Sequence, residues 1–175
     1  MESKNRRSAD HFTTVLLVVY LMILVWVLLF KLGVQFSYMS ERRVNLNPVN
    51  DIFTGKTDVL EAVLNILIFI PLGVYLGVLY RKHSFVKMLI IILSITLIVE
   101  STQYLLKTGA FDTTDLLTNT LGGLIGLIFF QCIASLFSDS LKTQRIVNLI
   151  AFIGTLALIL LLILLKMNRL PIMYK

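Results

Sequence analysis

Five uninterrupted apolar runs leave this chain few ways to fold: residues 12–30, 62–80, 88–106, 116–137 and 146–165. Each is about twenty residues long, the length an α-helix needs to cross the hydrocarbon layer of a bilayer. Of the 16 basic and 10 acidic side chains, Glu100 is the one that falls inside a run. Hydrophobic residues make up 57% of the 175 positions, more apolar surface than a soluble domain of that size could hide. Hydrocarbon offers no partner to a backbone amide, so each run must pair its amides internally as a helix. The expectation is an all-α, polytopic integral membrane protein: one transmembrane domain over residues 1–175, built as a bundle of five transmembrane helices.

Several function classes drop out at once. A net charge of +6 would suggest nucleic acid in a soluble domain, but here the Lys and Arg flank apolar runs, as topology and anionic lipid contact require. No nucleic-acid partner is expected. Cys132 stands alone in the fourth run, so neither a disulfide framework nor a Cys metal cluster is available. Lys4, Arg6 and Arg7 precede the first run as in a signal peptide, yet the run is too long and no small-x-small cleavage site follows it. It reads as a retained first helix. The long connection, residues 31–61, is expected to be functional or folded onto the surface.

Basic residues divide evenly between the two sides when all connections are counted. The short loops break the tie: Arg81, Lys82, Lys87, Lys142 and Arg145 lie in residues 81–87 and 138–145, whereas residues 107–115 hold Lys107 alone. This predicts a cell-membrane protein with a cytoplasmic N-terminus and an extracellular C-terminus, although Lys166, Arg169 and Lys175 pull the other way.

The polar residues inside or beside the runs are the candidates for function. Glu100 is costly in hydrocarbon, and Gln103 and Tyr104 share its helical face at i+3 and i+4. In the next run Asp115 and Asn119 are i, i+4 neighbours, and Asp112 or Thr113 has the short oxygen-bearing side chain of a helix cap. Asn65 sits a turn inside the second run, below Glu61. Gly73 with Gly77, and Gly122 with Gly126, are small-xxx-small pairs that admit a close helix neighbour, and Pro71 frees a carbonyl between them and the run's start. The start of span two, the end of span three and the start of span four fall at one membrane surface. Asn65, Glu100, Gln103, Tyr104, Asp112, Asp115 and Asn119 therefore share a leaflet, and the first loop brings Arg42, Arg43 and Asn45 over it. The two arginines suit a carboxylate or the phosphate of a lipid or lipid-linked sugar.

No HExxH, GxSxG or Walker motif is present, and His11 and His83 flank the opposite surface. Carboxylate and amide oxygens suit a hard divalent cation, but no ligand spacing marks one, so no metal site and no cofactor are expected. Three readings remain: a headgroup-binding pocket, an enzyme acting on a lipid-linked substrate with Glu100 or Asp115 as acid, base or cation ligand, and a lipid translocase. The last needs a polar groove through the bilayer, and these residues stop in one leaflet.

The segments RRVNLNP (42–48), NILIFIPLG (65–73), ESTQ (100–103) and FDTTDLLTNTLGG (111–123), in this order, resemble the VanZ-like family of bacterial membrane proteins. The likeness covers about residues 40–130. Thr113–Thr114 stand where family members often carry an Ile between the two Asp residues, and Val49 where an aromatic often follows the proline; neither change touches the charged set. The resemblance implies a cell-envelope protein of Gram-positive-type bacteria, and low-level resistance to the glycopeptide teicoplanin in the member that names the family. Membrane lipids or a lipid-linked cell-wall precursor are then the expected partners, with a glycopeptide antibiotic as a further one. The threading has a direct check: a topology reporter fused after Lys175 should report an extracellular C-terminus, and a cytoplasmic signal would overturn the orientation or the span count.

Overall fold

The computed structural model describes residues 2–30, 44–45, 59–106, 111–137 and 140–166. Five helices carry the fold: α1 (Glu2–Phe30), α2 (Val59–Leu79), α3 (Phe85–Leu106), α4 (Thr113–Leu136) and α5 (Ser140–Lys166), with two short strands, β1 (Val44–Asn45) and β2 (Phe111–Asp112). Four helical stretches are long and apolar enough to cross a membrane: Asn5–Leu28, Ala62–Leu79, Phe85–Leu106 and Thr113–Leu136. The outward faces of these helices expose Val18, Met22, Leu97, Ile98 and Phe129, the surface that hydrocarbon solvates and water would not. Helix α1 starts well ahead of its apolar run. Residues 2–11 contain neither Gly nor Pro, so nothing in them stops a helix, and an apolar run marks the thickness of hydrocarbon rather than the length of the helix.

The most extensive contact in the bundle joins α2 to α4. The two run parallel, because Ile66 lies against Gly122, Ile70 against Gly126 and Gly77 against Phe130. The approach is backbone to backbone. A Cβ on Gly122 would fall on the carbonyl oxygen of Ile66, one on Gly126 on that of Ile70, and one on Gly73 on that of Gly123. Lipid tails are as apolar as leucine, so association in a bilayer depends on such close packing rather than on the hydrophobic effect. Gly123 turns to the other side of α4, where its missing side chain makes room for Ile92 of α3.

Around this pair the core is filled by Leu24 of α1, Phe69 and Leu72 of α2, Ile92 of α3 and Leu127 of α4, all buried. Pro71 lies within α2 and removes one backbone donor there. Close to that break the Tyr20 hydroxyl donates to the Ile68 carbonyl at 2.6 Å, tying α1 to α2. Helix α5 leans chiefly on α1, and its contacts with α4 are sparse. Strands β1 and β2 pair in parallel, Val44 with Phe111 and Asn45 with Asp112, which pins part of the first long connection to the entrance of α4.

The backbone contact sets a stability order. Gly122→Leu must push α2 and α4 apart, whereas a Cβ on Gly154 meets nothing within 4 Å. Gly122→Leu should lower stability in detergent by at least about 2 kcal/mol, the scale of overpacking, and Gly154→Leu should be near neutral. Equal thermal midpoints for the two variants would refute the packing.

Candidate functional site

The end of the bundle where α3 finishes and α2 and α4 begin collects the polar residues singled out from the sequence. The inward face of α3 reads Met88, Ile92, Thr96, Val99, Glu100 and Gln103, so helical period alone carries Glu100 into the interior. Glu100 is 1% exposed, which excludes a side chain merely reaching for water. Its carboxyl Oε2 accepts from the backbone amide of Asp112 at 3.3 Å. This places the carboxyl against the N-terminus of α4, where free amides and the helix dipole favour negative charge.

Asp112 organises the junction. It is the N-cap of α4, and its Oδ1 accepts from the Thr114 amide at 2.7 Å, so of the two cap candidates the aspartate takes the position and Thr113 does not. Its second oxygen, Oδ2, accepts from Asn45 Nδ2 at 3.2 Å, and the neighbouring Thr113 hydroxyl donates to the Asn45 carbonyl at 3.0 Å. Asn45 is thereby held by its strand pairing and by hydrogen bonds on both its backbone and its side chain. One turn on, Asp115 Oδ1 accepts from Asn65 Nδ2 at 2.8 Å. That bond follows from the parallel arrangement of α2 and α4, which puts the first turns of both helices side by side.

Asn119, on the same face as Asp115, is 1% exposed, and its Oδ1 is buried with no hydrogen-bond partner; the Thr114 hydroxyl is in the same state. Orphaned acceptors of this kind are rare, because burying one costs roughly 1–3 kcal/mol. Gln103 does not join the carboxyl groups. Its Nε2 donates to the Leu28 carbonyl at 2.9 Å, closing the last turn of α1 onto α3. Tyr104 is half-buried on the same helix end. Arg42 and Arg43 lie outside the described residues.

The described oxygens here are mostly acceptors: the carboxyls of Glu100, Asp112 and Asp115 and the carbonyl of Asn119. Among the described residues no three His, Cys, Asp or Glu side chains are grouped to hold a metal ion. His11, near the start of α1, and His83, in the turn between α2 and α3, both lie at the other end. The arrangement suits binding of a group that donates hydrogen bonds.

A family model described as VanZ/LLP1 matches residues 17–137, most of the chain and every residue of this polar end. The chain belongs to the VanZ/LLP1 family. Protein VanZ of Enterococcus faecium is 35% identical over 153 residues, covering 85% of this chain and 89% of that protein. No solved structure matches. For this VanZ/LLP1 chain the motif segments and the folded site coincide: Asn45, Asn65, Glu100, Asp112, Asp115 and Asn119 all come from the segments that carry the family resemblance.

A second polar cluster, at the opposite end, was not anticipated. Thr13 of α1 and Gln144 and Asn148 of α5 are buried there beside Asp10 and Arg81. Two signals were available, the i, i+4 pair Gln144 and Asn148 and the placement of Thr13 and Asn148 within apolar runs.

The Asn65–Asp115 contact has its own test. Asn65→Ala and Asp115→Ala should each destabilise the protein in detergent, and the double variant should cost less than the sum by about 0.5–1.5 kcal/mol, the range for one hydrogen bond between membrane helices. Strict additivity would remove the contact.

Proposed function

We propose that this protein is a non-catalytic component of the cell envelope that binds a lipid or cell-wall-precursor headgroup at the Glu100 end of its bundle. The observation that carries the reading is the orphaned carbonyl of Asn119, 1% exposed, at the end of the membrane bundle where the buried Glu100 carboxyl accepts from the Asp112 amide. A buried acceptor kept without a donor in an apolar bundle is a standing cost unless a ligand offers one to it. Sugar hydroxyls and headgroup amines are donors of that kind. Helix α5, apolar over residues 146–165, serves as a fifth span, so that residues 1–175 form one domain with the N-terminus cytoplasmic and the Glu100 end facing outward. Arg42 and Arg43 are the charges that would take a headgroup phosphate. The relative from Enterococcus faecium supports a Gram-positive setting and, through the family's namesake trait, tolerance of teicoplanin.

Translocation fits less well. Phe69, Leu72, Leu24 and Leu127 fill the middle of the bundle between its two polar ends and leave no polar path for a headgroup.

Expression of this protein should raise tolerance to teicoplanin, whose acyl tail holds it at the membrane, more than to vancomycin, which lacks the tail. Glu100→Gln keeps the shape and removes the charge, and should abolish the effect while the protein still reaches the membrane. Asn119→Leu removes an orphaned acceptor, so it should match or exceed wild-type stability and yet lose tolerance. Equal tolerance in wild type and Glu100→Gln at matched expression would sink the proposal.

A further inference from the structure

At the end of the bundle remote from Glu100, a cavity of about 360 Å3 opens where the end of α2, the turn after it, the end of α4 and the start of α5 meet. It exists because α5 leans on α1 instead of closing against α4. Thr13 donates to Asn148 Oδ1 at 2.8 Å, and Gln144 Nε2 donates to Thr13 Oγ1 at 3.0 Å and to Asp10 Oδ1 at 2.8 Å, all along the α1–α5 seam. Arg81 reaches into this network from the turn after α2. Its Nη2 lies 3.3 Å from Asp10 Oδ1 and donates to Gln144 Oε1 at 2.9 Å.

The network holds the guanidinium by one nitrogen. Nη1 and Nε make no hydrogen bond among the described residues, although Arg81 lines the cavity. His83 lines it as well, its ring set edge-on to Tyr80 at 5.4 Å between centroids. Met88, Leu127 and Phe130 supply an apolar part of the wall, Gln131 and Thr143 a polar part, and the lining reaches Phe137, the C-cap of α4, which is 40% exposed. Beyond the lining, residues 81–87 contribute Lys82 and Lys87 and no acid, and α5 contributes Lys142 and Arg145. Asp10 is engaged by Arg81 and Gln144, and Asp139, which follows Phe137 in the sequence, lies outside the described residues.

An oriented guanidinium with unused donors, basic residues in the flanking segments and an apolar part of the wall together define one class of occupant. We propose that this cavity is a binding site for an anionic phospholipid, whose phosphate is taken by Arg81 and one of whose acyl chains lies along Leu127, Phe130 and Phe137. Guanidinium–phosphate contacts carry charge-assisted, geometrically specific hydrogen bonds, and basic pockets between membrane helices are suited to anionic headgroups. The site is independent of the Glu100 end and draws on Gln144 and Thr143, which lie beyond the family match.

The test uses the full chain purified in detergent and mass spectrometry of the intact lipid complex, with phosphatidylglycerol and phosphatidylcholine of identical acyl chains. One phosphatidylglycerol should be retained with about a tenfold preference, because the choline of phosphatidylcholine neutralises the phosphate charge that phosphatidylglycerol leaves for Arg81. Arg81→Gln should erase the preference. Ala134→Phe, which fills the cavity and leaves the Asp10–Arg81–Gln144 network intact, should erase it too, so the conclusion does not depend on how Arg81→Gln folds. Lys82→Gln with Lys87→Gln, outside the lining, should preserve it. Equal retention of the two lipids would overturn the proposal. So would a preference that survives Ala134→Phe and vanishes in the lysine variant, since that describes diffuse surface charge. Displacement of the lipid by millimolar inorganic phosphate would identify a soluble-anion site and overturn it as well.

Discussion

The backbone contact between α2 and α4 is the constraint on which the rest of the bundle depends. Gly73, Gly122 and Gly126 let two helices touch through carbonyl oxygens and Cα atoms, an approach that any side chain at those positions would block. Close approach recruits dispersion along the whole pair and weak Cα–H···O contacts, the interactions that remain useful where solvent and side chains are equally apolar. Because the pair is parallel, its register also brings the polar first turns of α2 and α4 together. Asn65 meets Asp115 for that reason, and Asp112, Asn45 and Glu100 assemble around the same helix start.

The polar groups gather at the two ends, and the ends differ in how they are satisfied. At the remote end Asp10, Thr13, Gln144 and Asn148 answer one another between α1 and α5, and Arg81, from the turn after α2, joins them through Nη2 alone. At the Glu100 end the hydrogen bonds cap α4 and anchor the first loop, but they leave the Asn119 carbonyl and the Thr114 hydroxyl without partners. An apolar bundle gains nothing from such groups by packing alone. The contrast within one molecule supports assigning the Glu100 end to ligand binding, and it makes the cationic cavity at the other end a separate feature with its own chemistry.

Helix α5 illustrates how a neighbour's preferences shape a site. Its polar first turns find their partners on α1, so it turns away from α4, and the space left between them becomes the cavity beside Arg81. Gly77 and Phe130, which meet in the α2–α4 pair, also line it, and the apolar layer of Leu24, Phe69, Leu72 and Leu127 lies between the two ends.

Much of this was determined by sequence alone, for reasons that are local. Hydrocarbon thickness and the need to pair backbone amides turn apolar runs into helices wherever those runs fold, and a single Glu100 among them is an anomaly in any arrangement. Helical period put Glu100 on an inward face, and chain direction placed Asn65, Asp112, Asp115 and Asn119 at its end of the bundle. Choices between partners were decided only in three dimensions. Gln103 shares a face with Glu100, yet it spends its amide on the Leu28 carbonyl, because α1 rather than α4 covers that edge of α3. Asp112 and Thr113 are equivalent as cap candidates in one dimension; in the fold the Asp112 carboxyl accepts from the Thr114 amide, and the parallel α2–α4 register gives Asp115 an asparagine. The same holds for the glycine pairs, which announce a close contact but not with which helix, and for Gln144 and Asn148, whose partners on α1 lie more than a hundred residues away along the chain. Period and composition act over one or two turns, whereas the pairing of buried polar groups depends on which helices become neighbours.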